Sequence, residues 1–575
     1  MKENRFKSIL KSNFFLAAMI SLVSLILVLL FCGIQYETSD DFTVSALLSG
    51  AYNGEYNPHM LFSNVLLGYI LAFLYSHTSY ISWYFVNLMV IGLVSIFTVN
   101  YICLKKNNRV VGVLFAVLAT VLLTDDLFIS PQFTKTASAA IAAGGLLLIE
   151  TLFTKSEEIP SGKNFSASRI VSVILAFLLM LSGSLLRISC VYNVAPFVAI
   201  MFLIKVIQQR KDEKIVKKVL LKAGCCILLL LGLFMFEFIG NYINDQSPGY
   251  REYYSLNSIR SRITDTGKVD YEDYEESFKS LGMDYVDYLM FETWSFSDND
   301  NYPIQRLDEV GKVYQSTFDI SKLPSERIIN EFIKPNFLNT VYAGCLLLAL
   351  LEIAFDRKSA GKILLCLLVQ LVMLCGFIFI GRCPYRIIYS IDFSLFVSIL
   401  SCVSIRDISR EALRKALVLL TAILVASRVP TYIKDQQFKI LPYFDNTAEE
   451  PQQNIIKHME NDSEHFYLFD FLSSIQTIYQ YYAPWERLPQ NYLKDNYDYL
   501  CNTTMGYPAD QECLEDSGIN ALNPYKSFIN ENVYVVDNAS IELKLLYLRK
   551  HYYPNVNVKL VEVVDGYSIW KFYLE

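Results

Sequence analysis

MLFSNVLLGYILAFLY, residues 60–75, decides how the chain threads. If this apolar stretch crosses a bilayer, every later loop changes side. If it stays on one face, the Lys/Arg-rich loops all fall together, as they do on the cytoplasmic face of membrane proteins. With 60–75 held outside, the inner loops are Lys105–Arg109, Lys155–Arg169, Lys205–Lys222, Asp356–Lys362 and Arg406–Lys415, each basic. Letting it cross would move KKNNR and QQRKDEKIVKK to the wrong side. The stretch therefore reads as an interfacial or re-entrant helix in the outer headgroup layer. The N-terminus is then inside and the C-terminus outside.

Working outward, the rest of the 575 residues has the same character. The chain is 53% hydrophobic and only 19% charged, below the quarter usual in soluble domains. Its apolar residues are bunched into runs of about twenty, the length that crosses roughly 30 Å of hydrocarbon. Candidate spans are 14–34, 81–104, 110–124, 133–153, 169–187, 188–207, 218–241, 336–355, 361–381, 384–404 and 413–430. The basic start (Lys2, Arg5, Lys7, Lys11) and the long first run, with no cleavage site after it, predict a retained span rather than a signal peptide. No Lys or Arg occurs between Lys11 and Lys105, and residues 242–334 carry 10 Lys/Arg against 18 Asp/Glu, both expected outside. The predicted fold class is an α-helical polytopic membrane protein with about eleven transmembrane helices and an extracytoplasmic α/β C-terminal domain.

The predicted divisions are an N-terminal membrane core, 1–241, with an acidic first outer loop at 35–80, an outer loop domain, 242–335, C-terminal spans, 336–430, and an outer α/β domain, 431–575. In the last, strands are predicted at His465–Asp470, Asn532–Val536, Asn557–Val564 and Tyr567–Tyr573, with helices at Phe471–Tyr482 and Ser540–His551. Of the twelve cysteines, Cys225, Cys226, Cys345, Cys366 and Cys375 lie in apolar runs and act as small hydrophobes. Cys501 and Cys513 fall in a polar outer segment, where a disulfide is one option. No Walker loop, HExxH, GxSxG elbow or basic aromatic-interleaved patch is present, which argues against those chemistries and against nucleic acid.

The chemistry-bearing residues cluster at the outer ends of spans. Tyr36-Glu37-Thr38-Ser39-Asp40-Asp41-Phe42 follows the first span. Its carboxylates must be satisfied by water, a divalent cation, a hydroxyl donor or a distant arginine, or they form a solvated acidic loop. Asn57-Pro58-His59 precedes the 60–75 stretch. Asp125-Asp126 follows the third span and Lys135 opens the fourth, either as a helix-end cap with a snorkelling lysine or as a ligand pair. Arg187, Arg382 and Arg386 sit at outer ends, the last two four apart and so on one face of a helical turn. Arginine's planar fork suits a phosphate, although a snorkelling anchor has the same address. Asp392 and Glu237 are carboxylates within spans, expensive unless paired or protonated. Trp294-Ser295-Phe296-Ser297-Asp298-Asn299-Asp300 joins an aromatic ring to carboxylates, a composition suited to sugars and equally to a capped helix end.

This order of elements over roughly residues 1–240, with an arginine near the outer end of a late span, resembles the GT-C fold glycosyltransferases. These include protein O-mannosyltransferases, lipid A aminoarabinose transferases and the oligosaccharyltransferase catalytic subunit. The resemblance implies a transferase for a polyprenyl-phosphate sugar, with Asp40 or Asp41 taking the acceptor's proton. It implies a lipid-phosphate site at Arg386, assisted by Arg382, Arg187 or Lys135. His59, Asp125, Asp126 and Trp294 are weaker candidates for sugar or acceptor contacts, and Asn57-Pro58-His59-Met60 departs from the family's His-Pro-Pro-like element. The acceptor would be an extracytoplasmic cell-envelope glycan, lipid or protein, at a bacterial cytoplasmic membrane. A flippase with arginines along its path, or a non-catalytic membrane scaffold, are the rivals. The outer clustering of charge favours surface chemistry over passage.

Overall fold

The computed structural model describes residues 12–51, 54–154, 165–209, 215–264, 270–316, 325–333, 340–355, 357–380, 382–402, 461–474, 483–486, 497–499 and 506–575, with a few isolated positions between 411 and 459. The membrane part is built from α1 (Asn13–Phe31), α4 (Trp83–Lys106), α5 (Arg109–Thr124), α6 (Phe133–Phe153), α7 (Phe165–Leu186), α8 (Ser189–Gln208), α9 (Ile215–Gln246), α14 (Thr340–Phe355), α15 (Ala360–Ile380) and α16 (Tyr385–Cys402). Among the described residues, nine helices are long and apolar enough to span. Of the predicted 336–355 span the described part, Thr340–Phe355, is helical as α14, sixteen residues long. The predicted span 413–430 lies outside the described residues, as do Cys501 and the side chain of Cys513.

Helices α6 and α16 are the innermost, with 83% of the apolar window of each buried, whereas α9 has 6% buried. The reason lies in α6, whose Thr, Ala, Ser and Gly run lets neighbouring backbones approach. A Cβ at Gly144 would come within 2.6 Å of Met180 Cγ, and one at Gly183 within 2.5 Å of the Ala137 carbonyl. At the end of the bundle that carries the Lys/Arg-rich loops, Glu150 of α6 binds Lys106 Nζ at 3.0 Å and Lys205 Nζ at 2.8 Å. Ser401 of α16 donates to the same oxygen. The opposite end is left for the acidic pair and the arginines.

Residues 60–75 form no membrane-length helix. Helix α3 is Val65–His77, thirteen residues and about 20 Å long, too short for a hydrocarbon core. Asn64 caps it, accepting from the Leu66 amide at 3.0 Å, so the apolar residues 60–63 are an irregular lead-in rather than a first turn. Helix α2 (Ser39–Ser49) precedes it.

Outside the bundle, α10 (Tyr250–Thr264), α11 (Tyr271–Ser280), α12 (Tyr285–Glu292) and α13 (Ile304–Ser316) meet a five-stranded mixed sheet. The strands are β1 (Phe466–Phe469), β2 (Tyr497–Tyr499), β3 (Val533–Val536), β4 (Val556–Val564) and β5 (Tyr567–Leu574), in the order β2-β1-β3-β5-β4. The pairs β1–β2 and β1–β3 are parallel, and β5 runs antiparallel to β3 and β4. Helices α17 (Pro508–Asp516) and α18 (Ile541–His551) flank the sheet. The four predicted strands are present within a residue or two, and β2 was not foreseen. Predicted helix 540–551 is α18, and of 471–482 the described part, Phe471–Ser474, is helical.

The two outer segments, separate in sequence, share one hydrophobic core. Phe278, Met290, Phe296 and Val310 pack in the same cluster as Phe466, Tyr525, Tyr547 and Phe572. Buried carboxylates bolt the halves together. Asp298 accepts from Asn523 at 2.8 Å, Tyr547 at 2.6 Å and Tyr552 at 2.5 Å, and Asp287 from Lys550 at 2.6 Å and His551 at 2.9 Å.

Candidate active site at the outer mouth of the bundle

After α1 the chain runs beside residues 129–131: the Gln35 amide donates to the Ile129 carbonyl at 3.0 Å and that of Glu37 to Pro131 at 3.3 Å. This contact delivers the acidic pair to the N-terminus of α6. Both carboxylates sit in the first turn of α2, where the helix dipole favours negative charge. They differ in environment. Asp41 is fully buried, and its Oδ1 accepts from the Tyr84 hydroxyl at 2.8 Å and the Phe133 amide at 3.0 Å, while Oδ2 accepts from Thr38 at 3.1 Å. Burial pushes its carboxyl up to about 7, with Asp40 adding to the rise and the three hydrogen bonds opposing it. Asp40, one position back and about 100° round the helix, is half-buried.

Lys135 is not an open cation. It is buried, with Nζ in contact with Glu37 Oε2 and 2.8 Å from Asp126 Oδ1. Tyr385 donates to Asp126 Oδ2 at 3.1 Å, and the Tyr385 and Tyr389 rings face Nζ at 5.7 and 5.8 Å. A lysine at the third position of a helix opposes the dipole, so two carboxylates are needed to hold it there. Asp126 reaches it because residues Asp125–Ile129 continue α5 as a π turn. The acidic pair predicted to follow the third span thus belongs to that span's last turn. Asp125 is half-buried in the same turn.

The arginines converge. Arg187 donates to Thr134 Oγ1 at 3.0 Å and Ser189 Oγ at 3.1 Å. Its guanidinium lies 5.1 Å from the centre of the Phe133 ring and 5.6 Å from that of Phe62, two parallel rings 6.2 Å apart. Burial draws Arg187 below its ordinary pKa; Arg386 and Arg382 act on it in the same direction, and Asp40 opposes them. Arg382, Arg386 and the half-buried Asp40 thus each act on Arg187 at this mouth. Arg386 is the second residue of α16 and half-buried. Such a group of like charges invites an anion with several oxygens.

Phe62 was not singled out in the sequence, and its backbone is its signal: φ is +60°, left-handed and strained for an aromatic residue. Hydrogen bonds on both sides hold it there. Ser63 Oγ donates to the Leu186 carbonyl at 2.8 Å, and the carbonyls of His59 and Met60 accept from Tyr507 at 2.6 Å and Tyr254 at 3.3 Å. His59 belongs to this joint with the outer module. Its ring stacks on Tyr250 at 3.7 Å and its Nδ1 lies 2.8 Å from Asn244 Oδ1; burial lowers its pKa.

The remaining candidates lie elsewhere. Trp294 sits past the end of α12 with φ +61°, its amide on the Phe291 carbonyl at 3.1 Å and that of Ser295 on Met290 at 2.7 Å. This is a helix-ending motif normally given to glycine. Asp392 is buried and accepts from Gln370 at 2.6 Å. Glu237 accepts from Asn64 at 3.0 Å and so steadies the cap of α3. For the divalent cation kept open above, no three His, Cys, Asp or Glu side chains among the described residues assemble as ligands. Asp41 has both its oxygens occupied by protein donors, which makes it a poor metal ligand.

Helices and the module beyond them together define a multi-pass membrane protein, with arginines and an acidic pair gathered at the end away from its basic loops. No protein-family profile and no curated protein matches the chain. Two crystal structures of ArnT from Cupriavidus metallidurans are similar to it at 13% identity. The apo structure aligns with 97% of each chain at a TM-score of 0.38. The one bound to undecaprenyl phosphate aligns with 96% of this chain and 97% of that chain at 0.39. Likeness of that strength carries neither activity nor residue roles across.

Proposed function

We propose that the chain is an integral membrane glycosyltransferase that moves a sugar from a polyprenyl-phosphate donor to an extracytoplasmic acceptor. The observation that supports this most is the electrostatic neighbourhood of Arg187, which Asp40, Arg382 and Arg386 each reach. The donor's phosphate would lie against the guanidinium groups, with its prenyl chain among the spans. The acceptor oxygen bonds to the anomeric carbon, its proton passes to Asp40, and the carbon–oxygen bond to phosphate breaks. The electron pair leaves on the phosphate, where the arginines offset the growing charge. Displacement in one step inverts the anomeric centre. Asp41 acts as a bracket tying α2 to α4 and α6, and Lys135 as a clamp between Glu37 and Asp126, rather than as base and phosphate ligand.

The test is transfer from a labelled polyprenyl-phosphate sugar by the purified full chain. Asp40→Asn should lower turnover by roughly 10²–10⁴-fold, the usual contribution of a general base. Arg386→Ala and Arg187→Ala should each weaken donor use while leaving membrane insertion unchanged. Full activity in Asp40→Asn ends the proposal; indifference to both arginine changes leaves a scaffold.

A further inference from the structure

We infer that the outer module carries a saccharide-binding site of its own, in a cavity of about 500 Å³ between α10, the 296–307 segment and the chain around α17. The volume falls in the range of small-molecule sites. Its accessible apolar faces come from Leu256, Ile304 and Leu522, and the buried rings of Tyr253, Phe296 and Tyr302 back them rigidly. Tyr302 is fixed by donating to Asp287 at 3.0 Å, Phe296 by stacking on Phe291 at 5.0 Å, and Tyr253 by an edge contact with Tyr507 at 5.0 Å. Ser297, Asn299 and Gln511 add hydroxyl and amide groups to the lining.

Charge narrows the ligand class. Among the described residues, no Lys, Arg or His lines the cavity, and two carboxylates do, Glu252 and Asp298. Asp298 is saturated by Asn523, Tyr547 and Tyr552, so it shapes the wall, while Glu252 is exposed and faces the ligand space. Phosphates and uronic acids are therefore disfavoured. Apolar faces, neutral hydrogen-bonding groups and one accessible carboxylate fit a neutral or amino sugar of one or two rings. The segment that Trp294 opens thus meets sugar through its later residues, Phe296–Asn299, and not through the tryptophan at the helix end. Its test reads binding rather than turnover, so either reading can fail alone.

The experiment is saturation-transfer NMR on the full chain in nanodiscs with glucosamine, N-acetylglucosamine, glucuronic acid and trialanine. Both amino sugars should give signals, and Ser297→Trp and Ala521→Trp, which fill the cavity, should abolish them. Glu252→Lys changes an exposed residue and leaves folding intact. It should weaken glucosamine by about three- to fivefold relative to N-acetylglucosamine. No saccharide signal from the unaltered protein overturns the inference. So do signals that survive both fillings, a glucosamine signal indifferent to Glu252→Lys, or a preference for trialanine or glucuronic acid.

Discussion

Burial lifts the Asp41 carboxyl from its ordinary 3.8 to about 7, so between those values the folded chain holds a proton that the unfolded chain releases. Stability must then fall as pH rises from about 4 to 7 and level off above, since the folded state binds more protons across that window. Asp41→Asn, which keeps an oxygen for the Phe133 amide, should flatten that part of the profile in thermal unfolding at pH 4 to 8. Its loss of transfer should be smaller than that of Asp40→Asn. Lys135 makes a second prediction at this scale. Lys135→Met leaves two carboxylates facing each other and should cost about 3–5 kcal/mol, whereas adding Asp126→Asn should recover much of it. Thermal unfolding of the single and double variants measures both. The acidic pair and the arginines were legible because charge at span ends is rare and conspicuous. Which acid is buried was not, because Tyr84 and Phe133 lie 43 and 92 residues away. The lysine's partners were hidden for the same reason: its counter-ions arrive from α5 and the 35–38 strip.

At the scale of elements, α3 is seated by contact rather than by length. A Cβ on Gly68 would stand 1.8 Å from the Pro58 carbonyl oxygen, and one on Gly240 would meet the Asn64 amide at 2.4 Å. Gly68→Ala should therefore push α3 off the 57–63 segment. A loss of at least about 1–3 kcal/mol is expected from overpacking, together with weaker donor binding as Phe62 leaves Arg187. Unfolding and donor titration on one preparation would check both, and unchanged donor affinity would separate Phe62 from the site. The spans were readable from run length, and the short α3 from the charge of the loops that follow it. The π turn at Asp125 was unreadable, because nothing in DDLFI distinguishes it from an ordinary last turn. Strand β2 is three residues long and takes its register from β1, so no local alternation announces it.

For the whole molecule, the loop charges place the outer module opposite the Lys/Arg-rich turns. A cysteine at Glu515, exposed on α17, should react with an impermeant maleimide in intact cells, and one at Lys217, exposed at the start of α9, only after lysis. The reverse pattern would invert the orientation and remove the proposed donor site from the outer leaflet. The joint core of the two segments was not legible, because hydrophobic pattern reveals which residues are buried but not which distant segment covers them. That joint core has a consequence for biosynthesis. Phe278, Met290 and Val310 leave the ribosome before α14–α16, and their partners Phe466, Tyr547 and Phe572 come long after. The early half must wait with its apolar face bare while further helices are threaded. Its closure is thus a late, long-loop event, and a nascent chain stopped short of residue 466 should be a substrate for chaperones and proteases.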